Sequence, residues 1–265
     1  MWTSITALLR AVGSPVADAT VYAVRVAALI GESLLALVAS GFRLRPVVRQ
    51  VLYRQIYFTG VLAMPFALLL ALLVALAVAV QAPYTSSAGG GLLGSVLVVV
   101  VVRELGPVIA ATIVIARSGS AMAAELATMR VDGEVETLAG LGVDPFEYLV
   151  VPRLLGTAVA LFGLTVLFLA ASLGASSLLS PLLGGPPPRE LLELVARALR
   201  GADAAMLLAK TFLPGLAIAT ISCTEGLARW RATTEIPPAV TTAVVRSISA
   251  VFLWNTVVSA LLYLA

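Results

Sequence analysis

The chain has 265 residues, of which 60% are hydrophobic and only 12% charged, and its mean hydropathy is +1.06. Soluble domains carry roughly 25% charged residues, so long apolar runs at half that density exclude an ordinary soluble domain and specify an all-α polytopic membrane protein. The formal net charge of +3 reports orientation in such a chain and gives no reason to expect a nucleic-acid partner.

Residue counts exclude further classes. Histidine is absent, which removes Ser-His triads, imidazole acid/base chemistry and His metal ligands together. Cys223 is the single cysteine, so no disulfide forms within the chain. The only lysine, Lys210, lies in LLAKTFLPG, which lacks the glycine-rich approach of a Walker A loop. If ATP drives this protein, a different subunit binds it. Ser120 lies in a small-residue segment, but without histidine it is not a catalytic nucleophile.

In chain order, the N-terminal region 1–48 opens with Trp2, Ile5, Leu8, Leu9 and Val12 at helical spacing before Pro15. It lacks the basic start and long apolar core of a cleavable signal. Residues 20–40 are apolar enough to consider a span, yet Arg25 and Glu32 share one face. Charges at mid-bilayer cost roughly 2.5–3.5 kcal/mol each, so an interfacial helix is the cheaper reading. Arg43, Arg45, Arg49 and Arg54 then form a basic cluster of cytoplasmic type.

The first span is expected over 56–80, bent at Pro65. A turn-rich, uncharged loop follows from Gln81 through the glycines at 89–91. The second span, 92–116, carries Arg103 and Glu104 directly after an apolar run, with Gly106-Pro107 loosening the backbone. Arg117, Arg130 and Arg153 bracket a polar segment on the cytoplasmic side. The third span covers 148–173, and an external loop and short amphipathic stretch covers 184–203. The fourth span, 204–224, carries Lys210 and a bend at Pro214-Gly215. Arg229 and Arg231 return the chain to the cytoplasm, and the fifth span covers 240–264. Five spans with the N-terminus cytoplasmic and the C-terminus external form a single domain over 1–265.

Two groups of residues carry the functional reading. Arg103 and Glu104 are adjacent, hence about 100° apart on a helix, and cannot neutralise each other across one face. Each needs a partner on another helix or a polar cavity. The other strongly polar residues on apolar spans are Lys210, Arg246 and Asn255. Such groups either clamp helices together or line a substrate path. The second group is 132–142, a helix too short to span. Asp132 suits its cap, Glu134 and Glu136 its positive first turn, and Gly140 or Gly142 its end. Val135, Leu138 and Leu141 form one apolar stripe, to be buried on the protein's own helix ends or on a partner. Asp144-Pro145-Phe146-Glu147 reads as a capping box opening the third span, and 118–124 as close helix contact.

The segment RELGPVIAATIVIARSGSAMAAELATMRVDGEVETLAGLGVDPFEYLVVPRLLG, which starts at Arg103, resembles the hallmark region of the MlaE/YrbE permeases of MCE-associated ABC transporters. Weaker similarity extends to Arg49-Gln50 with Tyr53, to Lys210 and to AVTTAVV at 239–245. The chain departs from the family pattern in three places. Glu134-Val135 stands for a Glu-Gln pair, GLARWRATTEIPPAVTTAVV for a glycine-rich approach to the fifth span, and Asn255 for an acidic residue found in some members.

The resemblance implies a homodimer in the bacterial inner membrane, each subunit with five spans and an N-terminal interfacial helix. It implies a cytoplasmic ABC ATPase holding the ATP and Mg, a periplasmic ring of MCE proteins, a STAS-domain regulator acting through the ATPase, and a lipid substrate, phospholipid in the first place. This chain then needs no cofactor or metal of its own. Asp132, Glu134, Val135, Leu138 and Leu141 become the ATPase-coupling helix. Arg103, Glu104, Lys210, Arg246 and Asn255 become the polar part of the lipid cavity. Two other classes compete: a proton-coupled carrier using Glu104, and a purely structural anchor for an MCE ring.

Overall fold

In a computed structural model, the described residues are 21–32, 35, 46–86, 97–228 and 232–264. They are helical throughout apart from short turns, with no strand among them. Expectations for 1–20, Arg43, Arg45, the loop glycines at 89–91, Arg229 and Arg231 lie outside the described residues. The chain divides into a unit of Met1–Arg45 and a unit of Pro46–Ala265. In the first, residues 21–32 form helix α1, with Val21, Val24 and Arg25 exposed.

Among the described residues, the second unit contains five helices long and apolar enough to cross a membrane: Arg49–Gln81, Val98–Val131, Phe146–Leu183, Gly201–Gly226 and Thr233–Leu261. The first comprises α2 (Pro46–Thr59), a 3-10 turn over Val61–Ala63, and α3 (Met64–Ser86). Its irregularity falls on the turn just before Pro65 rather than at the proline itself. Proline is tolerated there because the first turn of a helix has no partner for its N–H. Helix α3 also runs through Gln81–Ser86, where sequence suggested a loop, with Pro83 inside it.

Helix α4 spans Val98–Val131, well past the expected end at 116. It is α-helical over Gly106–Val114 and Ser120–Val131, and π-wound over Val98–Leu105 and Ile115–Gly119. The loosening expected at Gly106-Pro107 thus takes the form of a π turn, in which the Gly106 N–H reaches back to the Val101 carbonyl. Arg117 does not stop the helix. Its Nη1 donates to the Phe58 carbonyl at 2.8 Å, and its guanidinium lies 5.0 Å from the Phe58 ring centroid, so the charge is satisfied sideways. The short α5 (Glu134–Gly140) follows, then α6 (Phe146–Leu183), α7 (Pro188–Ala198), α8 (Gly201–Gly226) and α9 (Ile236–Leu264). Asp144 Oδ1 accepts the Phe146 N–H at 2.9 Å, the forward half of the expected cap at the start of α6.

Small residues face inward and large ones outward. On α3, Ala67, Ala71, Ala75 and Ala79 are fully buried at every fourth position, while Leu69, Leu72 and Leu73 are at least half exposed. That is the arrangement of a helix packed by close backbone approach on one side and solvated by lipid on the other. Backbones touch most closely where glycine permits it. A Cβ on Gly215 of α8 would lie 2.6 Å from Ala158 Cα of α6, and one on Gly226 would lie 2.8 Å from Leu126 Cβ of α4. Helix α7 is amphipathic and lies at the opposite end of the bundle from α5. Leu191 and Val195 bury against Val98, Val101, Val102, Phe168 and Leu169.

Candidate functional site

Four of the intramembrane polar residues singled out from sequence converge, on α4, α8 and α9. Lys210 lies nine residues into α8, about 14 Å at ~1.5 Å rise per residue, on the α7 side of the bundle. Its side chain is completely buried, and its Nζ makes three contacts. It donates to Glu104 Oε1 at 2.9 Å, to the Arg103 carbonyl at 2.8 Å, and to Ser259 Oγ at 2.6 Å. An ammonium has three donors and no acceptor, so this cation is saturated.

Glu104 is held as fully. Oε1 also accepts from Ser259 Oγ at 2.8 Å, and Oε2 accepts from Asn255 Nδ2 at 2.9 Å. The carboxylate fixes which way the Asn255 amide points, because only the NH₂ edge can face it. The Asn255 Oδ1 is then buried without a hydrogen-bond partner among the described residues. Pro107, four residues on from Arg103, has no N–H to donate, so the Arg103 carbonyl is left to accept from Lys210, while the Arg103 and Glu104 side chains serve different partners.

Arg103 turns toward the α7 end. Its Nε lies 2.8 Å from Asp203 Oδ1, and its Nη2 donates to Asp203 Oδ2 at 3.3 Å. Asp203 is itself buried, and its Oδ2 accepts the Arg200 N–H at 2.8 Å, capping α8. One carboxylate therefore closes a helix terminus and neutralises an intramembrane arginine. Two cations and two anions make the group electrically neutral. A buried pair is stable only when its remaining donors and acceptors are also satisfied, and here nearly all are.

Arg246 does not join this group. Its Nη1 lies 2.5 Å from Glu225 Oε1, toward the α5 end of the bundle. The antiparallel register explains the separation. Lys210 meets Ser259 on α9 and Glu225 meets Arg246, so residues 246 and 255 lie at different depths.

At the α5 end, Gly133 (φ +75°) and Gly142 (φ +73°) reverse the chain on either side of α5. Left-handed backbone suits glycine, since a Cβ would strain it. Asp132 does not cap α5 as expected; it ends α4, and Gly133 occupies the capping position with no side-chain bond. At the far end, Val143 N–H donates to the Leu138 carbonyl at 3.1 Å and Gly142 N–H to the Ala139 carbonyl at 3.0 Å, a Schellman closure. Glu134 and Glu136 do fall in the first turn. Glu136 pairs with Arg130 of α4. The apolar stripe is divided: Val135 is buried, Leu138 half-buried, and Leu141 is 74% exposed. Nearby, buried Arg153 reaches Glu125 at 3.0 Å and the Leu149 carbonyl at 2.9 Å.

Comparison with known proteins places this geometry. A family model described as Permease MlaE matches residues 52–261. The chain belongs to the MlaE permease family. It is 35% identical over 171 residues to the Arabidopsis thaliana protein TRIGALACTOSYLDIACYLGLYCEROL 1, chloroplastic, covering 64% of this chain and 49% of that protein. It is 36% identical over 171 residues to a probable ABC transporter permease protein of Synechocystis, covering 64% and 65%. A probable ABC transporter permease protein of Rickettsia typhi is 29% identical over 221 residues, covering 82% and 85%. The match thus spans about half of the Arabidopsis relative and two thirds of the cyanobacterial one.

Within this MlaE permease, two residues of the polar group escaped the sequence reading. Asp203 closes the charged amphipathic stretch 184–203, where it reads as one more solvated charge. The available signal was its position three residues after Arg200, at the start of an apolar run, where an acidic side chain caps a helix. Ser259 gave no local signal. Serine is common on helices, and only the α8–α9 register brings it to Lys210.

Proposed function

We infer that this chain is the non-catalytic permease subunit of an ABC transporter that moves lipid, phospholipid in the first place, between a membrane and an MCE protein assembly. A separate cytoplasmic ATPase supplies the energy, with ATP and Mg bound there and a STAS-domain regulator acting through it. Two copies form the working dimer in the bacterial inner membrane. On this reading the α5 end is cytoplasmic, the α7 end periplasmic, and α1 lies in the interface. Family membership supports the class, and the names of the bacterial relatives support coupling to an ABC system. The Arabidopsis relative bears the name of a glycerolipid, which favours a lipid substrate.

The observation that carries the coupling assignment is the exposure of Leu141, at 74%, on a helix outside the spans and between two left-handed glycines. An apolar side chain held out from the bundle end, beside a stripe whose other members are buried (Val135) or half-buried (Leu138), suits a groove on a partner. Helix α5 would carry the partner's motion into α4 through the Arg130–Glu136 pair and the burial of Val135. The polar group around Lys210 would then serve as the anchored wall of the lipid path, with the half-exposed Glu104 facing it. The neutral pairing of Glu104 with Lys210 favours this over a proton-coupled carrier, which needs a carboxyl free to titrate.

Affinity purification in mild detergent tests the assignment. An ATPase and an MCE protein should copurify, with bound lipid identifiable by mass spectrometry, whereas a protein that purifies alone and stable contradicts it. The substitution Leu141→Asp should leave the fold intact and abolish lipid-stimulated ATP hydrolysis by the complex. Undiminished coupling in that variant removes α5 from the role.

A further inference from the structure

Most hydroxyls of this protein follow one habit, and four buried serines leave it unmet. Serine and threonine on apolar helices satisfy their O–H by bonding back to a carbonyl three or four residues earlier. Thr112, Thr165, Ser172, Thr211, Thr220 and Thr256 all do so. Ser118, Ser222 and Ser247 do not. Each is at least 99% buried, and each Oγ has no hydrogen-bond partner among the described residues. A buried hydroxyl left unpaired is costly, so three on one structure require a common explanation.

They share one layer of the bundle. Val114 on α4, Ile218 on α8 and Val251 on α9 belong to one buried apolar cluster. Moving four residues toward the α5 end along each helix gives Ser118, Ser222 and Ser247. The register agrees. Lys210 meets Ser259, and residues 222 and 247 have the same sum of numbers on these antiparallel helices. Gly119 confirms the approach of α4 to α8, since a Cβ there would lie 3.2 Å from Ser222 Oγ. The Ser222 hydroxyl packs directly against the Gly119 backbone, where a Cβ would be tight. Ser118 and Gly119 also lie in the π turn Ile115–Gly119, where the carbonyl four residues back is not placed as in an α-helix. The other unpaired buried serine, Ser180, belongs to the opposite end of α6 and is not part of this layer.

We propose that Ser118, Ser222 and Ser247 form a buried water-binding site joining α4, α8 and α9, one turn above the Glu225–Arg246 pair. A buried water typically makes about three hydrogen bonds to groups that otherwise lack them, and each serine hydroxyl can donate or accept as needed. A monovalent cation fits less well. The three ligands are neutral, and Glu225, three residues from Ser222 on α8, is already paired with Arg246 at 2.5 Å. The site lets three helices share a bond through a small molecule that can change partners, where a packed side chain would hold one geometry. It does not depend on the identity of the transported substrate.

The test uses the full chain in lipid nanodiscs or mesophase crystals. A density map that resolves ordered water should show one peak within hydrogen-bond distance of all three Oγ atoms. Ser118→Ala, Ser222→Ala and Ser247→Ala should each lower the melting temperature by roughly 2–4 °C. The triple variant should lose less than the sum, because the three share one ligand. A resolved map without that peak overturns the site, as do single variants that melt at or above the wild type, which is the result for a dry pocket relieved of an orphan hydroxyl. A melting temperature that falls when sodium is replaced by choline overturns the assignment to water in favour of a cation.

Discussion

The two ends of the bundle treat charge differently. Toward α7, Lys210 is wholly buried and Glu104, Asn255, Ser259, Arg103 and Asp203 satisfy one another across three helices. Toward α5, charges associate in pairs, each with one partner well exposed: Glu125 at 58%, Glu136 at 56% and Arg246 at 47%. A pair with one foot in water or headgroups can be broken cheaply. A cation with three matched donors in an apolar core cannot. The α7 end therefore fixes the relative positions of α4, α8 and α9, while the α5 end is free to exchange partners.

Substitutions can break or sharpen this contrast. Glu104→Leu strands a buried ammonium and should destabilise the bundle by about 3–5 kcal/mol, the usual effect of removing one partner of a buried pair. Glu104→Leu combined with Lys210→Met should recover most of that loss. Thermal unfolding in detergent checks both, and a double variant no better than the single one would mean that the network is not acting through charge. Asp203→Asn should cost about 1–3 kcal/mol, because asparagine keeps the cap of α8 and loses only the pairing with Arg103. At the other end, Arg130→Gln should change melting by about 0–1 kcal/mol, an effect that added salt erases. A large, salt-insensitive loss there would show that the two ends do not differ in the way argued.

Much of this arrangement was legible in the residues. Arg103, Glu104, Lys210 and Asn255 stood out because ionisable and amide groups are rare in apolar spans, and the structure brings all four together. Arg246 stood out for the same reason and lies elsewhere, because composition carries no information on register between helices. Asp203 was hidden by its neighbours, since a charge beside other charges looks solvated until its cap turns it inward. The length of α4 was also misjudged. Arg117 resembles a membrane boundary in sequence, yet the Phe58 carbonyl and ring absorb it within the bundle. The short α5 was legible in its limits and its acidic first turn, but not in its start, where Gly133 rather than Asp132 makes the turn. Reading a cap from the nearest Asp fails when a glycine can reverse the backbone unaided.

The contact between Gly215 and Ala158, with that between Gly226 and Leu126, has a mechanical consequence. At these points α8 lies against α6 and α4 with no side chain between the backbones. Two helices separated by leucines can roll over each other as rotamers adjust, but two backbones in contact have nothing to yield. These three helices must move as one block. Any large excursion of the protein then falls to α3, which lies outside the charge network that ties α9 to α4 and α8, belongs to a membrane-crossing segment only 22% buried, and faces lipid chains, a fluid that resists neither shape nor displacement.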